Sequence, residues 1–159
     1  MAGHYRRYPD RRCRARGFHL CIFRWLMILD YALLMAFFGF ASIGLFTYLG
    51  KPGAISSGRI YASVSLYLML AMFWFALCNL MEAIYPASFV QVSAPTNARV
   101  PRAALLYFSL TTLTTVGFGD IVPVTPARVF AALEGAAGVL YIAITVALLV
   151  AANQSAASE

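Results

Sequence analysis

Charge is scarce in this sequence. Asp, Glu, Lys and Arg make up only 11% of 159 residues, with six acids against twelve bases. A soluble domain carries roughly a quarter of its residues as charged side chains, so this composition excludes an ordinary soluble globular protein. Cysteine is equally thin. Cys13, Cys21 and Cys78 are odd in number and stand at no metal-ligand spacing; they read as free thiols and say nothing about redox compartment. There is no Gly-rich phosphate loop between a strand and a helix, no nucleophile beside a base and no cluster of metal ligands. The chain is therefore expected not to be an enzyme and to need no cofactor. Internal repeats are absent as well.

What is present in quantity is apolar length. Hydrophobic residues reach 62% and mean hydropathy is +0.76, the mark of an integral membrane protein. Three stretches are long enough to cross a bilayer core, which takes about 20 helical residues: residues 21–49, 60–85 and 126–152. The segment "GKPGAISSGR" (50–59) is a turn between the first two. Pro86 stops the second, and a loop follows to Val100. The first stretch is too long for the apolar region of a signal peptide and lacks a small-residue cleavage site, so it is expected to stay in the mature chain. It holds Arg24 and Asp30 but no arginine at every third position, which argues against a voltage sensor. Arg24 is expected to snorkel to the headgroups, with a pair to Asp30 as the alternative. After the third stretch, "AANQSAASE" offers no soluble regulatory domain.

The bases crowd one end. Arg6, Arg7, Arg11, Arg12, Arg14 and Arg16 lie in the tail of residues 1–20, opposed only by Asp10. Beside an apolar span such a tail points to anionic lipid headgroups and topology control rather than to nucleic acid.

Between the second and third spans lies an apolar run too short to cross, residues 101–114, "PRAALLYFSLTTLT". Pro101 suits a first helical turn, and some thirteen helical residues reach only about 20 Å. A helix of that length enters the membrane and must come back. The return path is "TTVGFGD" (114–120), ahead of a new helix start in which Thr125 can cap and Pro126 can occupy the first position. Irregular backbone at membrane depth survives only where protein buries it or where it lines water. Gly117 and Gly119 alternate with Val116 and Phe118, and glycine accepts the positive backbone angles other residues avoid. Such alternation turns successive carbonyls the same way. The carbonyls of Thr115, Val116, Gly117 and Phe118, with the Thr115 hydroxyl below, then form a row of hard oxygen ligands for a cation stripped of water. One chain supplies one edge of that site, so identical subunits around an axis must supply the others.

These residues carry a resemblance. Thr111 to Asp120, "TTLTTVGFGD", resembles the signature of potassium channels, and the likeness runs from about Ser63 to Val150, nearest to the small bacterial pore-module proteins. The resemblance implies an all-α, homotetrameric integral membrane pore. Each subunit gives an outer helix (60–85), a re-entrant pore helix (101–114), a selectivity filter (115–119) and an inner helix (126–152), here preceded by an additional N-terminal transmembrane helix (21–49). It implies passive, selective conduction of K+ held at Thr115, Val116, Gly117 and Phe118, with Gly119 completing the filter. It also implies a bacterial inner membrane and a cytoplasmic C-terminus.

Roles follow residue by residue. Tyr107 and Phe108 sit where the family carries aromatics that brace the filter, with plain packing as the alternative. Thr111, Thr114 and Asp120 flank and support the filter. Phe118 replaces a common tyrosine, which implies a filter held less tightly. Glu134 lies in the third span, where an unpaired acid is costly; Thr111 and Thr112 are its expected partners in a brace behind the filter, and a surface-facing acid is the alternative. Gly138 falls at the gating hinge and Gly135 one turn earlier, each with close packing as the alternative. Ile142, Val146 and Val150 fall at the cavity and inner gate. That alignment needs a one-residue deletion near Ala127. Two complete spans before the pore helix put the basic tail outside, whereas the positive-inside rule puts it in the cytoplasm, so the side of the N-terminus stays open. Rival readings are a weakly selective cation channel, a transporter subunit and a non-conducting accessory protein.

Overall fold

The computed structural model describes residues 17–51, 57–92, 100–124 and 126–157. Helix α1 (Gly17–Leu49) and helix α2 (Ser57–Ile84) are followed by strand β1 (Phe89–Gln91), helix α3 (Arg102–Leu113), strand β2 (Ile121–Pro123) and helix α4 (Ala127–Ala157). The protein is an all-α membrane protein in architecture, with one two-stranded ribbon. α1, α2 and α4 each contain a stretch long and apolar enough to cross a membrane, and α3 does not. At 12 residues, α3 is about 18 Å long.

α1 and α2 are apolar on every side. A helix of that kind belongs in a protein interior or in lipid, and only 6% of the α1 stretch is buried by the rest of the chain. Its uncovered residues, Phe37, Phe40 and Ile43 among them, have the surroundings of a bilayer or a neighbouring subunit to satisfy them. α1 begins at Gly17 rather than Cys21, and α2 runs 57–84 rather than 60–85.

α1 lies antiparallel to α2. Near its start, Arg24 donates from Nε to the Ala83 carbonyl (3.2 Å) and from an Nη to the Ile84 carbonyl (3.0 Å), at the end of α2. Gly39, midway, lets the Phe73 ring approach to 3.5 Å of where a Cβ would stand. These bonds correct one expectation: Arg24 does not pair with Asp30. It caps the carbonyl end of α2, where orphan acceptors and the negative helix pole favour a cation.

β1 and β2 pair antiparallel, with Phe89 opposite Pro123, Val90 opposite Val122 and Gln91 opposite Ile121. Bonds from Val92 N to the Asp120 carbonyl and from Val124 N to the Ser88 carbonyl, both 2.8 Å, extend the ribbon. Around it gathers the larger core: Cys78 and Met81 of α2, Phe89, Val100, Leu105 and Phe108 of α3, Ile121 and Ala127. A smaller core of Ala71, Trp74 and Leu113 lies deeper, at the end of α3. The first core fixes how α3 enters the bundle, and the second fixes how far it goes.

Candidate functional site

α3 starts just past Pro101, which takes the N-cap position (φ −62°, ψ 148°) rather than the first helical one. α4 likewise starts at Ala127, with Val129 N donating to the Pro126 carbonyl; Thr125, the expected cap, lies outside the described residues. The depth of α3 is set by α4. A Cβ on Gly138 would lie 1.9 Å from the Leu113 carbonyl oxygen, so no side chain fits there, while one on Gly135 would sit at 3.6 Å from the Thr112 oxygen, an ordinary contact. The last carbonyls of α3 therefore rest on the α4 backbone. Gly138 is a point of close packing, and α4 is continuous through it. The Tyr67 hydroxyl also reaches the Leu113 carbonyl at 3.4 Å.

From the end of α3 the chain reverses. Thr114 N donates to the Leu110 carbonyl, Thr115 N to Thr112 and Gly117 N to Thr111, at 3.0–3.1 Å, and the Thr114 hydroxyl donates to the Leu110 carbonyl at 2.7 Å. The returning strand thus spends its early N–H groups on the helix it leaves. Positive φ recurs at every second residue: Thr115 (61°), Gly117 (50°) and Gly119 (76°). A β-branched residue in that region costs about 1–2 kcal/mol, and the bond from Thr115 N to Thr112 holds it there. The alternation begins one step earlier than the two glycines suggest. Nothing crowds Gly117 or Gly119; backbone angle, not space, requires glycine at those positions. Residues 114–120 are all exposed on the isolated chain.

The aromatic pair behind the loop divides its work. The Tyr107 ring stacks on Phe118 at 6.0 Å and 12°. Desolvation, and then the Asp120 carboxylate, raise its phenol above the ordinary value of 10.0, so it stays protonated. Phe108 packs edge-on against Phe89 at 5.2 Å, in the core around the ribbon.

Glu134 is fully buried, which removes the surface-facing alternative. Its partner is neither Thr111 nor Thr112. The Thr111 hydroxyl donates to the Phe108 carbonyl, and Glu134 Oε1 lies 2.5 Å from the Ser109 hydroxyl of the same chain. That hydroxyl also faces the Ala71 carbonyl at 3.0 Å, so Ser109 joins α2, α3 and α4 at one point. Glu134 Oε2 has no hydrogen-bond partner among the described residues. On α4 below Gly138, Ile142, Val146 and Val150 recur at every fourth residue on one exposed face.

A short apolar helix seated on an inner helix, followed by an exposed return with alternating positive φ, is the architecture of a pore loop. The ion-channel family model matches residues 60–155, more than half of the chain. The chain belongs to the ion channel family. No curated protein and no solved structure matches it. α1 lies before the matched region, so this ion channel carries an additional helix on the outer face of its family domain.

Three residues of the channel have parts that sequence did not assign. Ser109 is one. Arg24 is another. The third is Glu82, whose carboxylate accepts from Ala87 N and Ser88 N, both at 3.0 Å. Ala87 takes φ 67° in the tight turn thus formed, and the turn delivers the chain into β1. The signal for Glu82 was an acid in the last turn of a helix, where the dipole disfavours it unless N–H groups beyond the end wrap back.

Proposed function

We propose that the chain is the subunit of a homotetrameric channel selective for K+, conducting passively through backbone carbonyls. The observation that carries this is the recurrence of positive φ at Thr115, Gly117 and Gly119 in a loop bonded to the pore helix on one side and exposed on the other. Such a backbone presents the carbonyls of Thr115, Val116, Gly117 and Phe118 in one row, and four copies around an axis replace the hydration shell of an entering cation. Thr111 and Thr114 hold the near end of the filter, Tyr107 and Asp120 its mouth, and Glu134 with Ser109 braces it from behind. Ile142, Val146 and Val150 line the cavity and inner gate.

The channel resides in a bacterial inner membrane, with the filter mouth outside and the C-terminus in the cytoplasm. α1 begins at the filter-mouth end of α2; the basic tail, outside the described residues, is read as meeting anionic headgroups, on a side left open. The deciding experiment is the reversal potential of purified protein in planar bilayers, with K+ on one side and Na+ on the other. A value near the K+ equilibrium potential, with block by barium, supports the reading. A value near zero with robust current shows a weakly selective cation pore instead.

A further inference from the structure

We propose that Arg102 is a positioning residue of the pore helix, through which the added helix α1 sets the tilt of α3 and hence the shape of the filter. The proposal rests on the conduction reading above and names a control point for it. Arg102 is the first residue of α3. One of its Nη groups donates to the Met27 Sδ of α1 at 3.3 Å, and its guanidinium carbon stands 5.5 Å from the centre of the Tyr31 ring, inside the range of a cation–π contact. Both partners belong to α1, which lies outside the matched ion-channel domain.

The helix dipole opposes a cation at this place. The first turn of α3 faces the positive pole and carries no acid to offset Arg102, so the guanidinium finds its stabilisation across the helix pair and not within α3. Its direction is also against habit. An arginine near the membrane surface ordinarily extends outward to the headgroups. Arg24 is the third residue of the membrane-length stretch of α1, and Tyr31 lies about 10 Å further along that helix. The Arg102 guanidinium is thus drawn inward over an aromatic face. Among residues 22–49 of α1, Tyr31 is the one that is buried, so Arg102 stands over the most firmly seated side chain of that stretch.

Arg24, Met27 and Tyr31 recur at helical spacing on one face of α1. Along that face α1 holds the last carbonyls of α2 through Arg24 and the first residue of α3 through Met27 and Tyr31. The far end of α3 rests on the α4 backbone at Gly138, and the Thr111 and Thr112 carbonyls there accept from the N–H groups of Gly117 and Thr115. A short helix held at both ends has its tilt fixed. Freeing the Arg102 end lets α3 pivot on Gly138 with its own hydrogen bonds intact, and the pivot carries Thr115 and Gly117 with it.

The test records K+ current from the full-chain oligomer in planar bilayers and follows its decay during sustained opening. Arg102→Gln should speed decay about fivefold, the worth of one cation–π contact written as a ratio. Arg102→Lys keeps a cation over the ring and should restore most of the parent's rate. Arg102→Glu suits the helix dipole but loses the contact with α1, so it should decay as fast as Arg102→Gln. Decay at the parent's rate or slower in Arg102→Glu would show that residue 102 acts through the dipole alone, which overturns the proposal. Tyr31→Leu should match Arg102→Gln, and the two together should be no faster than either; additive effects overturn the proposal, because the residues then act separately. Unchanged decay in Arg102→Gln overturns it as well. Arg102 is exposed, so its own three variants decide the matter even where Tyr31→Leu prevents assembly. A parent without K+-selective current defeats the conduction reading and this proposal with it, whereas a conducting parent beside an indifferent Arg102→Gln defeats this proposal alone.

Discussion

The Leu113 carbonyl oxygen lies 1.9 Å from the point where a Cβ on Gly138 would stand. The end of the pore helix is thus held against bare backbone of α4. The contact is close enough for a Cα–H to meet a carbonyl, a weak attraction that recurs between packed helices. Because the obstacle is backbone and not a movable side chain, α3 must shift if any residue larger than glycine is placed there. Gly138→Ala is expected to lower oligomer stability by about 1–3 kcal/mol or more, with loss of current. Gly135→Ala, whose Cβ finds ordinary contact, is expected to be tolerated. Thermal dissociation of the detergent-solubilised oligomer compares the two directly.

Ser109 and Glu134 form a buried polar pair at the junction of three helices. Ser109→Ala strips Glu134 of its partner and is expected to cost about 1–3 kcal/mol, the penalty for an unsatisfied buried group. Glu134→Leu alone leaves Ser109 its bond to the Ala71 carbonyl and costs less. Removing both groups together is expected to cost no more than Ser109→Ala. A thermodynamic cycle over the four proteins reads the coupling, and strict additivity would show that the pair does not act as a unit.

Tyr107 links the return loop to α3 by its stack on Phe118, with the Asp120 carboxylate acting on its phenol. Tyr107→Phe keeps the stack and loses the donor, so current should decay faster during sustained opening. The phenol's raised value fixes the sign with pH. The donor is fully present below its ordinary value of 10.0 and is lost as pH rises through the raised one. Decay in the parent should be steady from neutral pH to about 10, accelerate beyond it, and lose this alkaline component in Tyr107→Phe. Phe118→Tyr offers a second tether and should slow decay; an unchanged rate would show that the stack already suffices.

Arg24 donates two charge-assisted bonds to the last carbonyls of α2. Arg24→Gln is expected to cost about 1.5–3 kcal/mol and to loosen α1 from the domain. Protection of α1 amides from hydrogen exchange should fall first, with α3 and α4 unaffected.

Much of this fold could be read from hydropathy, because bilayer thickness converts apolar run length directly into spans and singles out residues 101–114 as too short to cross. The positive φ of Gly117 and Gly119 was legible from the glycine alternation as well. The ribbon was not. Phe89–Gln91 and Ile121–Pro123 are three residues each, too brief for a period-two pattern, and Pro123 reads against a strand unless the strand is an edge. Ser109 was missed by one turn: it shares a helical face with Thr112, and sequence register does not say which of the two meets Glu134. Thr115 was expected as a ligand, but its left-handed backbone has no sequence signature, since threonine disfavours it. For Arg24, the choice between lipid, Asp30 and a helix end depended on the α1–α2 pairing, which hydropathy leaves open.

The Glu82 turn has a mechanical consequence. Its carboxylate grips the N–H groups of Ala87 and Ser88, the Ser88 carbonyl accepts from Val124, and the Asp120 carbonyl accepts from Val92. The end of α2 and the segment leaving the filter are therefore stitched by a short series of hydrogen bonds. Any tilt of the end of α2 is therefore felt at Asp120 and Val124, on the segment that leaves the loop of residues 114–119.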